Sequence, residues 1–276
     1  MPTDRKLTYS RRTKDIVLLP EMKPETEPQV ASYGESVTPN SALKGYEKTD
    51  GMLSYSIVCV ISGGERKEKD FLRELIRHKE LHSLRVAFIS KEKQGLQHYQ
   101  MDKVWSSIKQ SGEVVTSNLH YQLDKMDKVF LLTDVDEFYE QIVKIRSNQD
   151  DTETGQWIIS NPCFEIWLYY SFKNSPNVDL ASIEPLVAAK RSQKMKHLGN
   201  KLIPGGLNPL RAFENMPIAI THSRQHYAED EKSIPVLYAT QMHEMAQYLI
   251  DIMNRDMNEY DEFVRKKQEW RKKMQK

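Results

Sequence analysis

Apolar and polar positions follow two regimes along the chain. Residues 1 to 54 carry Pro2, Pro20, Pro24, Pro28 and Pro39 among many Ser, Thr, Lys and Glu, with little apolar periodicity, which predicts an extended or poorly ordered arm. Its one apolar run, Ile16-Val17-Leu18-Leu19, stops at Pro20. Such a patch either adds an edge strand or docks on a partner, or belongs to a tail that does little. From Tyr55 the pattern changes to short apolar runs alternating with helix-like segments. Tyr55 to Ile61 is a β-branched run ending in Ser62-Gly63-Gly64, and residues 66 to 80 place Phe71, Leu72, Leu75 and Ile76 at helical spacing. Strands are then predicted over 84 to 89, 129 to 133 and 157 to 159, and helices over 99 to 111, 136 to 146 and 163 to 173. This β-α-β-α-β-α-β order implies an α/β fold with a mostly parallel four-stranded sheet flanked by helices.

Beyond residue 175 the periodicity is helical near 180 to 192, 208 to 228 and 238 to 272, with Pro204-Gly205-Gly206 as a loop. The expected organisation is an arm over 1–54, an α/β core over 55–175 and a helical C-terminal region over 176–276. The chain turns basic at Arg265-Lys266-Lys267 and Arg271-Lys272-Lys273, read as a solvated helix face or as a phosphate-contacting surface.

Composition narrows the function classes. Lys+Arg at 40 against Asp+Glu at 39 leaves a net charge of +1, so a nucleic-acid partner would be held by local patches rather than by bulk charge. Cys59 and Cys163, each among apolar neighbours, read as buried thiols and exclude a disulfide framework or a cysteine-rich zinc site. The N-terminus lacks an apolar signal region and no apolar stretch is long enough to span a bilayer, so the expectation is a cytoplasmic protein without a membrane partner.

Three constellations could carry chemistry. Val129 to Thr133 runs directly into Asp134-Val135-Asp136-Glu137, and ligands of open parallel sheets bind outside the carboxyl ends of the strands. On an extended backbone Asp134 and Asp136 would point the same way and share a hard cation, or else Asp136 caps the next helix and Asp134 is solvated. Ser62-Gly63-Gly64-Glu65-Arg66-Lys67-Glu68 makes a glycine turn into a helix with Glu65 and Glu68 in its first turn. Its plainer reading is a helix start with dipole-matched acids; the spacing of a phosphate-binding P-loop is absent. Third, Ser160-Asn161-Pro162-Cys163-Phe164-Glu165 turns from a strand into a helix and places Glu165 near the same sheet edge. Glutamates and an Asp-x-Asp at neighbouring strand ends are what metal-assisted phosphoryl transfer requires.

Less weight falls on Lys194, Lys196, His197 and Lys201, a basic stretch expected between helices that either grips phosphate or is simply solvated, and on His222 and His226, which share a helix face without a third ligand. Trp157, Trp167, Tyr169 and Tyr170 read as core.

Ser-Asn-Pro-Cys-Phe-Glu-Ile-Trp-Leu over residues 160 to 168 resembles the signature of the RloB-like family, and its order after the Gly-Glu loop and the Asp-x-Asp resembles that family over roughly residues 55 to 250. The resemblance implies a TOPRIM-like core in a bacterial phage-defence protein. It carries the family's Gly-Glu-x-x-Glu loop onto Gly64, Glu65 and Glu68, its Asp-x-Asp onto Asp134 and Asp136, and its Asn-Pro-Cys-Phe-Glu onto Asn161 to Glu165. Two positions depart: the glutamate that precedes the loop glycine in the family is Gly63 here, and Tyr170 and Ser171 stand where a histidine is often seen.

The resulting expectation is a metal-dependent nuclease hydrolysing DNA or RNA. Mg²⁺ or Mn²⁺ would be held by Glu65, Asp134 and Asp136, with Glu68 and Glu165 positioning ligands or water, and Lys194, Lys196 and Lys201 on the nucleic acid. The resemblance also implies a partner ATPase from the same operon, and leaves a homo-oligomer open. Gly63 favours the alternative, a catalytically inactive TOPRIM-like sensor or scaffold for that ATPase. A primase-like or synthase-like nucleotide enzyme would use the same metal geometry and needs a base pocket.

Overall fold

The computed structural model describes residues 56–64, 66–77, 84–91, 95–115, 120–125, 127–148 and 154–255, together with Asn258 and Arg265. The N-terminal arm with its Ile16–Leu19 run, Glu65, and the basic end apart from Arg265 lie outside the described residues.

Strands β1 (Ser56–Ser62), β2 (Leu84–Ile89), β5 (Lys128–Asp134) and β6 (Gly155–Ser160) form one sheet in the order β2-β1-β5-β6, every neighbouring pair parallel. Helices α1 (Arg66–Arg77), α2 (His98–Ser111) and α3 (Tyr139–Asn148) cross between successive strands, so the predicted α/β class and all four predicted strands are borne out. A short hairpin, β3 (Glu113–Val115) with β4 (His120–Gln122), was not predicted; its strands have three residues each, too few to show a period.

Strand alternation sorts the core into two layers. Val58, Val60, Phe130, Leu132 and Ile158 face one side, against Phe71 and Leu72 of α1 and the C-terminal helices; Ile57, Cys59, Ile61, Val129, Leu131 and Ile159 face the other, against Met101, Trp105 and Ile108 of α2 and Ile142 of α3. Both cysteines are free and buried, and Trp157, Trp167, Tyr169 and Tyr170 are core, as expected.

The helical extension is present but divided differently. Helix α4 (Glu165–Tyr170) is followed by α5 (Pro176–Asp179), a 3₁₀ turn (Ala181–Ile183) and then α6 (Ala188–Leu202). The single helix predicted over 180 to 192 is thus divided, the 3₁₀ turn and α6 being separated by Val187, whose backbone is extended at φ −63° and ψ 147°. Lys194, Lys196 and Lys201 therefore lie on a helix rather than between helices. The predicted segment 208 to 228 is broken at Asn215 into α7 (Pro209–Glu214) and α8 (Met216–Gln225), with Pro217 in the first turn of α8. The last described helix, α9, covers 242–255.

Residues 238–241, predicted as helix, instead run beside the outer strand. Thr240 makes an antiparallel bridge to Ser160, Gln241 N–H donates to Ile159 O, and the hydroxyls of Ser160 and Thr240 bond at 2.8 Å. This segment occupies the backbone groups that an edge strand would otherwise leave open. Among the described residues no helix is long and apolar enough to cross a membrane.

Candidate active site

The carboxyl ends of β1, β5 and β6 each turn into a loop that carries an acid, and the parallel register brings the three loops together. Gly63 N–H donates to Leu132 O at 2.8 Å, which docks the first loop on the end of β5. Gly95, at φ +69°, then passes so close that a Cβ there would lie 1.7 Å from Gly63 O; only glycine fits. Ser90 Oγ donates to Gly64 O at 2.8 Å. Gly64 leaves the space into which Glu68 folds back from the first turn of α1, since a Cβ at residue 64 would lie 1.9 Å from Glu68 Oε1.

At the end of β5, Asp134 Oδ1 accepts the Phe164 N–H at 2.8 Å, tying the second loop to the start of α4. Asp136 has φ 37°, and its N–H donates to Pro162 O at 3.1 Å. The backbone is thus left-handed, not extended, at this residue, and the expected common direction of Asp134 and Asp136 by strand alternation does not hold. Nor does Asp136 cap a helix: α3 begins three residues later, and the carboxylate accepts a hydrogen bond from the Ser192 hydroxyl of α6. Glu165, 5 % exposed at the start of α4, faces Lys67 at 3.6 Å and Lys196 at 3.9 Å.

Four carboxylates, Glu68, Asp134, Asp136 and Glu165, therefore influence one another in a largely desolvated space. Burial first, and then the charge of Glu165, raise Glu68 to about 7. Asp134 is held well above the usual carboxylate range by burial and then by Glu68, Glu165 and Asp136. Burial raises Asp136 too, opposed by the Ser192 hydroxyl and the Lys196 ammonium. The Cys163 thiol, also buried here, hydrogen-bonds Glu165 and is pushed up, chiefly by burial and then by Glu165.

These acids fit a divalent cation in chemistry: the donors are hard oxygens, and a cation would offset the negative charge that burial and mutual repulsion disfavour in them. Among the described residues no three His, Cys, Asp or Glu side chains converge closely enough to hold an ion as they stand. Mg²⁺ does not demand such a cage, because it is commonly held by one or two carboxylates and completes its octahedron with water and substrate phosphate.

Of the residues expected at the site, Glu68, Asp134, Asp136, Glu165 and Lys196 are brought together. Lys194 and Lys201 are two helical turns apart on one side of α6, directed away from its buried Ser192, Met195 and Gly199. His222 and His226 are not a ligand pair: His222 Nδ1 bonds Tyr170 O at 2.8 Å and His226 Nε2 bonds Asn174 O at 3.1 Å, fastening α8 to the end of α4.

Three residues escaped the sequence reading. Ser192 and Lys67 are ordinary in their local patterns, and only packing reveals them. His98, at the start of α2, is buried beneath Asp134: its Nε2 bonds Thr133 Oγ1 at 2.7 Å and its ring also hydrogen-bonds the Asp134 main chain. Burial lowers its pKa, so it holds the end of β5 as a neutral ring. An isolated histidine preceding an apolar helix face gives no local signal of this role.

No curated protein and no solved structure matches the chain. The sequence model of the RloB-like protein family matches residues 57–249, a span that contains the sheet apart from Ser56, the four clustered carboxylates and α6. The chain belongs to the RloB-like family.

Proposed function

We propose that this chain is a TOPRIM-like, divalent-metal-dependent nuclease, the effector of a bacterial phage-defence system working with a partner ATPase, and that it hydrolyses phosphodiester bonds in DNA or RNA. The observation that carries the reading is the desolvated group of Glu68, Asp134, Asp136 and Glu165 at the carboxyl ends of parallel strands, the position where open α/β sheets take their ligands. Like charges crowded out of water are costly unless a cation or hydrogen bonds offset them.

In this reading Asp134 and Asp136, with Glu65, are the metal ligands. Mg²⁺ or Mn²⁺ supplies activation of water and neutralises charge developing on the phosphate. Glu68 sits against Gly64, with a pKa that lets it hold or take a proton near neutrality. Glu165, pinned between Lys67 and Lys196, orders the ammonium groups toward the incoming phosphate. Helix α6 has five lysines and arginines and no acidic residue, so Lys194, Lys196 and Lys201 supply a track for the nucleic-acid backbone.

A catalytically inactive sensor or scaffold is favoured by two observations: Lys67 and Lys196 already pair with Glu165, and among the described residues no three acids stand close enough to hold an ion. Expression with the genomic neighbour and challenge with phage, profiling DNA and transfer-RNA integrity beside an Asp134→Ala/Asp136→Ala variant, decides between the two. Cleavage abolished in the variant supports the nuclease; protection that persists in the variant without cleavage sinks it and leaves the scaffold.

A further inference from the structure

Lys196 stands in a different relation to the acids from any other cation near them. Its ammonium lies 3.9 Å from Glu165 Oε2, and its charge also lowers Glu68, Asp134 and Asp136 against the burial that raises them. Lys67 is nearer to Glu165, at 3.6 Å, but its charge bears on Glu68 less than that of Lys196 does. One helical turn before Lys196, Ser192 binds Asp136 with its hydroxyl. The same face of α6 thus brings an ammonium and a hydroxyl donor to two acids that approach from separate loops. The Lys196 side chain is 49 % exposed, so it can leave the cluster for solvent without opening the core.

We propose that Lys196 is a resident counter-cation of the carboxylate cluster, paired through its ammonium with Glu165, so that binding of a divalent ion among these acids displaces it. This rests on the metal reading of the site and adds to it an internal competitor. Without that counter-charge the buried acids would repel one another; with it, the cluster is held together before an ion arrives, at the expense of ion affinity. Reciprocity of linked equilibria requires that whatever the ion does to the Lys196 contact, the contact does to the ion. Displacement also frees an ammonium beside the site at the moment when a phosphate would bind.

The test is a Mn²⁺ titration of the full chain by calorimetry, on wild type, Lys196→Met, Lys67→Met and Lys190→Met. Lys190 belongs to the same helix and carries the same charge, so it controls for bulk electrostatics. The expected result is Mn²⁺ binding about tenfold tighter in Lys196→Met, a smaller gain in Lys67→Met, and no change beyond about twofold in Lys190→Met. Lys67 is the nearer ammonium to Glu165, so loss of charge at that carboxylate alone would give Lys67→Met at least as large a gain. A gain in Lys67→Met that equals or exceeds that of Lys196→Met therefore overturns the proposal, as does a Lys196→Met affinity no higher than wild type. If none of the four proteins binds Mn²⁺, the metal reading falls and the competitor with it; if wild type binds and Lys196→Met binds no tighter, the competitor falls alone. Melting curves of the same proteins provide a second readout: Mn²⁺ should raise the midpoint of Lys196→Met more than that of wild type, since the tighter a ligand binds the folded state the more it stabilises it.

Discussion

At the amino ends of β1 and β5, Asp127 is buried and both its carboxylate oxygens are used: Oδ1 accepts the Ile57 N–H at 2.7 Å and Oδ2 the Asp124 N–H at 2.6 Å. At the carboxyl ends of these two strands and of β6, four acids share a confined space in which Asp134 receives one backbone N–H, Asp136 a hydroxyl, and Glu165 two lysines from other elements. Both ends bury acids, and burial raises Asp127 as it raises Asp134. They differ in what answers the charge. A carboxylate saturated by neighbouring main-chain donors is a fastener of the fold. Carboxylates answered by side-chain cations and by each other's protons are exchangeable, and a cation or a substrate can take over the role of the ammonium groups.

The largest expected contrast is between the two aspartates themselves. Asp134→Asn should reduce cleavage in the presence of the partner by about a hundredfold or more, roughly 2.7 kcal/mol of transition-state stabilisation, while the melting midpoint stays level or rises because a buried like charge is gone. Asp127→Ala should do the reverse. It leaves two backbone N–H groups without their acceptor and should lower unfolding free energy by about 2–3 kcal/mol in urea titration, with activity per folded molecule intact. Loss of activity from Asp127→Ala at full stability would erase the distinction drawn here.

A smaller effect separates the ends by pH. The folded pKa of Glu68, about 7, lies above its ordinary 4.5, so between those values the folded protein retains a proton that the unfolded chain has released. The contribution of Glu68 to stability therefore falls as pH rises from about 4.5 to about 7, by about 1 kcal/mol per unit at most steps, and is flat above that window. Glu68→Gln should make the slope of a series of denaturant midpoints shallower, leaving the part that the raised Asp134 and Asp136 contribute; an unchanged slope would place the titration wholly elsewhere. The smallest expected change is Gly63→Ala, within about 0.5 kcal/mol. A Cβ at 63 meets only ordinary contacts, the nearest at 3.4 Å from Leu96 O, whereas Gly64→Ala drives a methyl into the Glu68 carboxylate and should cost activity through the displaced acid rather than through the fold.

Much of this architecture was legible in local patterns. Val129 to Thr133 and Tyr55 to Ile61 are apolar runs because both faces of a parallel strand are covered, and their strand bounds were close to those observed. Legibility failed where a distant segment took over a residue's local preference. Residues 238–241 follow the period of the helix after them but are extended, because the main chain of β6 at Ile159 and Ser160 offers them hydrogen bonds. Asp136 has the sequence context of a helix cap, yet Pro162 O fixes its N–H and Ser192 its carboxylate.

The sequence by itself determined the α/β class, the four parallel strands, the membership that Ser160 to Leu168 signals, and the identity of the acids at the strand ends, because periodicity, turn residues and loop acids are local properties of the chain. Only the tertiary structure decided how those acids are answered. That Glu68 folds against Gly64, that Asp136 turns left-handed toward α6, that Lys196 pairs with Glu165 from 31 residues further along, and that His98 supports Asp134 from below are outcomes of packing between elements remote in sequence. Coulomb and desolvation energies depend on distances in space, and no spacing along the chain encodes them.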